Sequence, residues 1–174
     1  APAHMAHGSF LSLHVKFLGL PTIWTGIAIS AGICLEIFVM ANGERILDRY
    51  SEEKLFFFAT CLAFLRWLAM FYVGTGWLLT LCQLSHGLTF GLFCISAVSM
   101  VSKRTSQEAP VTGQALLAAA VGGVGSGGGV LLASHIESNY STQYIYLGNM
   151  VLAGLAVLVA WRILWISSGI RKIG

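Results

Sequence analysis

Apolar residues run through this chain in long blocks, broken by short polar or glycine-rich stretches. Neither the strict alternation of a half-buried strand nor the one-sided stripe of a soluble helix dominates. Blocks of about 20 residues are long enough to span a bilayer as helices. Five such blocks cover residues 22–41, 55–73, 77–101, 111–135 and 144–166. A shorter one, residues 4–18, precedes them and ends at Gly19-Leu20-Pro21. The breaks are Gly74-Thr75-Gly76, the polar run from Lys103 to Pro110, and the run from Glu137 to Gln143. These have turn and loop compositions. The pattern predicts an all-α polytopic membrane bundle of six transmembrane helices, the first one truncated.

Composition narrows the picture further. Hydrophobic residues make up 56% of the 174 and charged ones 10%. Soluble domains carry about 25% charged residues, so this chain has too few to cover a water-facing surface. The net charge of +3 forms no basic stripe, which excludes a nucleic-acid partner. The four cysteines, Cys34, Cys61, Cys82 and Cys94, lie inside apolar blocks without zinc-site spacing, so no metal site is expected. The chain opens Ala-Pro-Ala-His-Met with no signal-peptide pattern, and the expectation is a piece of a longer protein.

Charge also orients the bundle. Arg45, Arg49, Lys54, Lys103, Arg104, Arg162, Arg171 and Lys172 fall at one end if successive helices alternate in direction. By the positive-inside rule that end, with the C-terminus, is cytoplasmic. The lipid bilayer is then the chain's solvent, with a bacterial inner membrane as the expected location. Two charges remain inside spans. Arg66 lies about 17 Å from the cytoplasmic end of its helix, and Glu36 about 8 Å. Embedded charges are rare and face a partner or a cavity. Arg66 therefore has two readings: a structural pair with Glu36, or a substrate or coupling site in a water-filled cavity.

His86 lies about 14 Å from the outer end of its helix, close to the depth of Arg66. Gln83 and Thr89, three residues to either side, are expected on the same face. His4 and His7 share a face if the first segment is helical there. His14 and His135 are placed near outer helix ends, where an interfacial histidine needs no special role. The fifth block holds Gln114 at its start, then a run of glycines. Pairs such as Gly123/Gly127 and Gly125/Gly129 are expected to allow close helix crossing, and the whole run to permit bending. Gly123, Gly125 and Gly128 match G-x-G-x-x-G, but a dinucleotide site needs a βαβ unit around it. Asn139-Tyr140-Ser141 fits a glycosylation sequon that loops match by chance. Ser126 and His135 stand nine apart on one helix and cannot meet, so no catalytic residues and no enzyme are expected.

The loop Gly43-Glu44-Arg45-Ile46-Leu47-Asp48-Arg49-Tyr50 resembles the signature loop of the major facilitator superfamily, which joins the second and third helices of each six-helix half. The likeness extends over Phe10 to His14, Gly26, Glu36, Leu65-Arg66-Trp67, Gln83 to Phe90 and Gly113-Gln114-Ala115. These segments look like the C-terminal half of a proton-coupled subgroup that includes phenylpropionate permeases and, more distantly, the lactose-permease type. In the latter, the second, third and fourth helices of that half carry a carboxylate, an Arg and a His. Arg66 and His86 match the last two, and Glu36 matches loosely, one turn away. Gln83 and Thr89 stand where the sugar permeases have a basic and an acidic residue, which points away from a sugar.

The resemblance implies half of a major facilitator fold, whose partner is an N-terminal half of the same transporter. It implies proton-driven uptake of an organic acid or similar small solute by alternating access, with no cofactor beyond the proton gradient. Arg66, His86, Glu36, Gln83, His7 and Thr89 would bind substrate or couple protons, and Gly43, Arg45, Asp48 and Arg49 would form a conformational-switch loop. An efflux pump of the same superfamily and a non-transporting scaffold or sensor on the same fold are the alternatives.

Overall fold

The computed structural model describes residues 2–105 and 110–170, with side chains except those of residues 2–9, 110, 124 and 170. Its elements are all helical: α1 (Pro2–Phe17), α2 (Ile23–Ala41), α3 (Gly43–Arg49), α4 (Glu52–Tyr72), α5 (Gly76–Arg104), α6 (Pro110–Ala118), a π-helical segment (Ala119–Gly125), α7 (Ser126–Asn139) and α8 (Gln143–Ile170). Five stretches among the described residues are long and apolar enough to cross a membrane: α2, α4, α5, the run Val111–Asn139, and α8. The 16-residue α1 is the short sixth. The expectations for His4 and His7 fall on side chains outside the described residues.

Local chemistry explains the helix ends. Gly19 takes φ +66, a left-handed conformation that a side chain resists, and turns the chain out of α1. Thr75 caps α5 by accepting from the Leu78 amide at 3.4 Å. Asn42 closes α2 by donating to the Phe38 carbonyl at 2.8 Å. It also accepts from Arg45 Nη1 at 3.3 Å, and this holds the start of α3. The stretch expected as a loop at 43–50 is therefore largely a two-turn helix. The expected break at Glu137 is also shorter, because α7 runs on to Asn139.

The packing order is α2–α5–α4–α8, a row in which each helix lies against the next. The short α1 touches α2 and α7, and α7 touches α8, so these two bridge one face of the row. Between apolar helices in lipid, close van der Waals contact drives association, and small residues permit it. The α2–α5 crossing shows this. A Cβ on Gly32 would stand 2.7 Å from the Gln83 carbonyl oxygen, and one on Gly91 2.8 Å from Val39 Cγ1. One on Gly87 would collide with the Gly32 carbonyl. In the fifth block, Gly113 lies close against Val101 and Thr105 at the end of α5, whereas Gly122, Gly123, Gly127, Gly128 and Gly129 have open space where a Cβ would stand.

Two apolar cores form, one at each end. Leu11, Val15, Ala28, Met70, Val73, Leu79 and Tyr146 pack near the Gly74–Gly76 turn. Val39, Leu55, Ala59 and Leu92 pack near α3. Large apolar side chains cover the outside, among them Phe38, Leu131 and Trp165. Lipid, not water, suits such a surface.

Candidate functional site

Beneath the bridge of α1 and α7 lies a cavity of about 520 Å³. Its wall is built from six elements. Phe10 and Leu11 come from α1, Trp67 from α4, and His86, Phe90 and Phe93 from α5. The π segment and α7 supply Ala120, Val121, Gly125, Ser126, Gly129, Val130 and Ala133. Ile145, Tyr146 and Asn149 of α8 close it. The α5 residues reach it because His86, Phe90 and Phe93 recur at helical spacing on one face. The wall is mostly aromatic and aliphatic, with a few polar groups, which is the usual make-up of a small-molecule site.

The rings form a connected lining. His86 and Phe90 have centroids 5.8 Å apart, and Phe90 and Phe93 6.4 Å. Trp67 stacks on Tyr146 at 6.0 Å. Behind Tyr146, the His14 ring meets it edge-on at 4.7 Å. His14 stands in the last turn of α1, near the helix end as expected, and is wholly buried there. Ser126 donates to the Val121 carbonyl at 3.1 Å and so ties off the widened π turn. Such segments recur in helices at functional sites, and this one forms part of the cavity wall.

The two embedded charges, Arg66 and Glu36, do not pair with each other among the described residues. Arg66 is 5% exposed, and its guanidinium lies over the Trp67 ring, 3.8 Å from the centroid. Its electrostatic neighbours are Cys82 and Tyr146. Glu36 instead lies across α5, its backbone against Gly87 and Gly91 and its carboxylate near Cys94. Of the two readings of Arg66, the structural bridge to Glu36 is absent among the described residues.

Gln83, His86 and Thr89 also part company. His86 faces the cavity. Gln83 is buried, its backbone against Gly32 of α2. Thr89 is buried and donates to the His86 carbonyl at 2.9 Å. Arg66 and His86 therefore line different spaces: Arg66 opens on a groove of about 420 Å³ between α4 and α5, beside Cys82 and Ser85. Trp67, Tyr146, Asn149 and Ser126 are cavity residues that sequence reasoning missed. Trp67 follows Arg66 and could have been found from it; Tyr146 carried no local signal.

At the basic end, Lys103 bridges Glu52 at 3.0 Å and Arg104 bridges Glu53 at 3.4 Å. Ser167 donates to Glu53 at 2.9 Å, so α4, α5 and α8 are tied together. Gln114 donates to Ser102 at 2.9 Å and to the Val98 carbonyl at 3.2 Å, which fastens α6 to α5. In α3, Glu44, Arg45, Asp48 and Arg49 are exposed, and Gly43 is buried with Ile95 3.0 Å from where its Cβ would be. No group of three or more metal-ligating side chains occurs among the described residues.

A family model described as MFS_1 like family matches residues 3–147. No curated protein and no solved structure matches the chain.

Proposed function

We propose a transport cycle on the premise that the chain belongs to the MFS_1 like family, and with it to the major facilitator superfamily. It is a transporter of the major facilitator kind, an integral membrane protein with apolar spanning helices. On our reading it carries a small organic acid or similar solute inward with protons and catalyses no reaction. The observation that supports this is the aromatic cavity with His86 in its wall.

The coupling follows from histidine chemistry. A neutral imidazole in an apolar wall offers little to a carboxylate. Taking a proton makes it a cation that pairs with one. Proton and anion therefore favour the same loaded state, and each leaves more readily when the other does. The flat faces of Trp67, Phe90, Phe93 and Tyr146 hold the apolar part of the solute. Arg66 acts on this cavity through the Trp67 ring beneath its guanidinium and through its neighbour Tyr146.

In this reading the six helices are a C-terminal half that rocks against an N-terminal half and exposes the site to each side in turn. The basic ends and the C-terminus face the cytoplasm. Gly43 lets α3 sit close on α5, while the exposed Arg45, Asp48 and Arg49 stabilise one of the two states. Glu36, Gln83 and Thr89 act at the α2–α5 contact and set the position of His86.

The test is uptake of labelled phenylpropionate into vesicles under an imposed proton gradient, acid outside. The expected result is accumulation that collapses with an uncoupler and falls at least tenfold in His86→Ala. Equal accumulation with and without the gradient defeats the proton coupling. Loss of preloaded label under the same gradient defeats the inward direction.

A further inference from the structure

Arg66 carries a positive charge that nothing neutralises among the described residues. Its Nε and Nη1 are buried without hydrogen-bond partners. Its electrostatic neighbours are a thiol and a phenol, neither of them a carboxylate. The acids of its own helix, Glu52 and Glu53, lie about 20 Å away along the axis, engaged with Lys103 and Arg104. Helix α5, which forms the other wall, has no acidic residue. A buried charge without its partner is strongly unfavourable, and in a membrane more so.

The groove that Arg66 opens on has a distinct character. Apart from Arg66, Cys82, Ser85 and Tyr72 its lining is aliphatic. Leu65, Tyr72, Leu78 and Leu81 on its walls are exposed. It also lies on the face of the helix row away from the cavity. On α4, Leu65 and Ala69 stand about 200° around the helix from Trp67, which faces the cavity. Bridging helices α1 and α7 cover the cavity face. The groove is therefore lined by exposed apolar residues and runs from the Tyr72 end down to Arg66, about 9 Å deeper along α4.

We propose that this groove is a lateral binding site for a long-chain carboxylate taken from the bilayer, with Arg66 holding the headgroup and the α4–α5 leucines holding the chain. A guanidinium pairs with a carboxylate through parallel, charge-assisted hydrogen bonds. The aliphatic walls match an alkyl chain and not a polar solute. A carboxyl group sheds its charge by taking a proton on its way into hydrocarbon, whereas a phosphodiester stays charged and bears the full desolvation cost. The site is separate from the His86 cavity and does not depend on how that cavity is read.

The experiment is a scintillation-proximity assay of tritiated palmitate on the full-length protein in phosphatidylcholine nanodiscs. Saturable binding is expected, with hexadecanol and hexadecyl phosphate each competing at least tenfold more weakly than unlabelled palmitate. Arg66→Gln is expected to weaken binding at least tenfold. Ala69→Phe, which fills the groove while keeping Arg66, is expected to do the same, and it guards against misfolding of the charge variant. Phenylpropionate, the probe for the cavity, is expected not to displace palmitate. Equal competition by hexadecanol, equal competition by hexadecyl phosphate, displacement by phenylpropionate, or full binding in Ala69→Phe each overturns the proposal.

Discussion

His14, His86 and Arg66 look alike in a sequence, as single polar residues in apolar runs, yet their surroundings give them different work. His14 is sealed against the edge of Tyr146. His86 lines open space, and Arg66 lies on a ring with unpartnered N–H groups. Tyr146 stands between them, and two substitutions separate its contributions. Its buried hydroxyl has no hydrogen-bond partner, so Tyr146→Phe is expected to change stability by less than about 1 kcal/mol. Tyr146→Ala removes the ring that meets both Trp67 and His14, at a cost of about 3–5 kcal/mol. Unfolding titrations in mixed micelles would read both. At the basic end, Glu53→Leu leaves Arg104 and Ser167 without this acceptor. A loss of about 1–3 kcal/mol is expected in the same assay.

Among the elements, glycine has two opposite uses here. In the α2–α5 pair it allows backbones to touch, and Gly87→Leu is expected to force the helices apart. The predicted effect is a cost above about 1–3 kcal/mol and poor recovery of folded protein on size exclusion. Around the π segment, Gly122, Gly123, Gly127, Gly128 and Gly129 meet nothing. Alanine at Gly122 and Gly123 fits the open space and removes backbone freedom from the unfolded chain. The double variant is expected to gain up to about 1 kcal/mol per site. If bending of this segment opens the cavity, the same variant takes up label more slowly. Faster or unchanged uptake beside higher stability would exclude bending from the cycle.

For the molecule as a whole, the basic ends predict a sidedness. Cysteine introduced at Lys103 should react with an impermeant maleimide only from the cytoplasmic side, and cysteine at Thr142 only from outside. Labelling of both from one side would reject the inverted ends. Span number and turns were legible because a membrane helix must satisfy its backbone internally and expose apolar side chains. Those demands are met residue by residue along the chain. The Asp48-Arg49 stretch and the Arg-Trp and Gln-x-x-His-Gly segments carried the family for the same local reason. The site was less legible. Arg66 and His86 were expected to work together because their depths match. Depth follows from counting along each helix, whereas the direction a residue faces depends on which neighbour its helix packs against. The same gap misplaced the close helix crossing, expected at the glycine run and found at Gly32, Gly87 and Gly91.

Taken alone, the sequence determined that the chain is helical, that its outer surface is apolar, that several of its helices are long and apolar enough to span a membrane, and which family it belongs to. All of these rest on local hydrophobicity, turn chemistry and short motifs. The tertiary structure alone decided that His86 lines an aromatic cavity while Arg66 lines a separate groove behind its wall. It also separated Glu36 from Arg66 and buried His14. Those outcomes depend on how helices rotate about their own axes when they pack. A rotation of half a turn exchanges cavity for lipid without changing a single residue, so only the packed helices settle it.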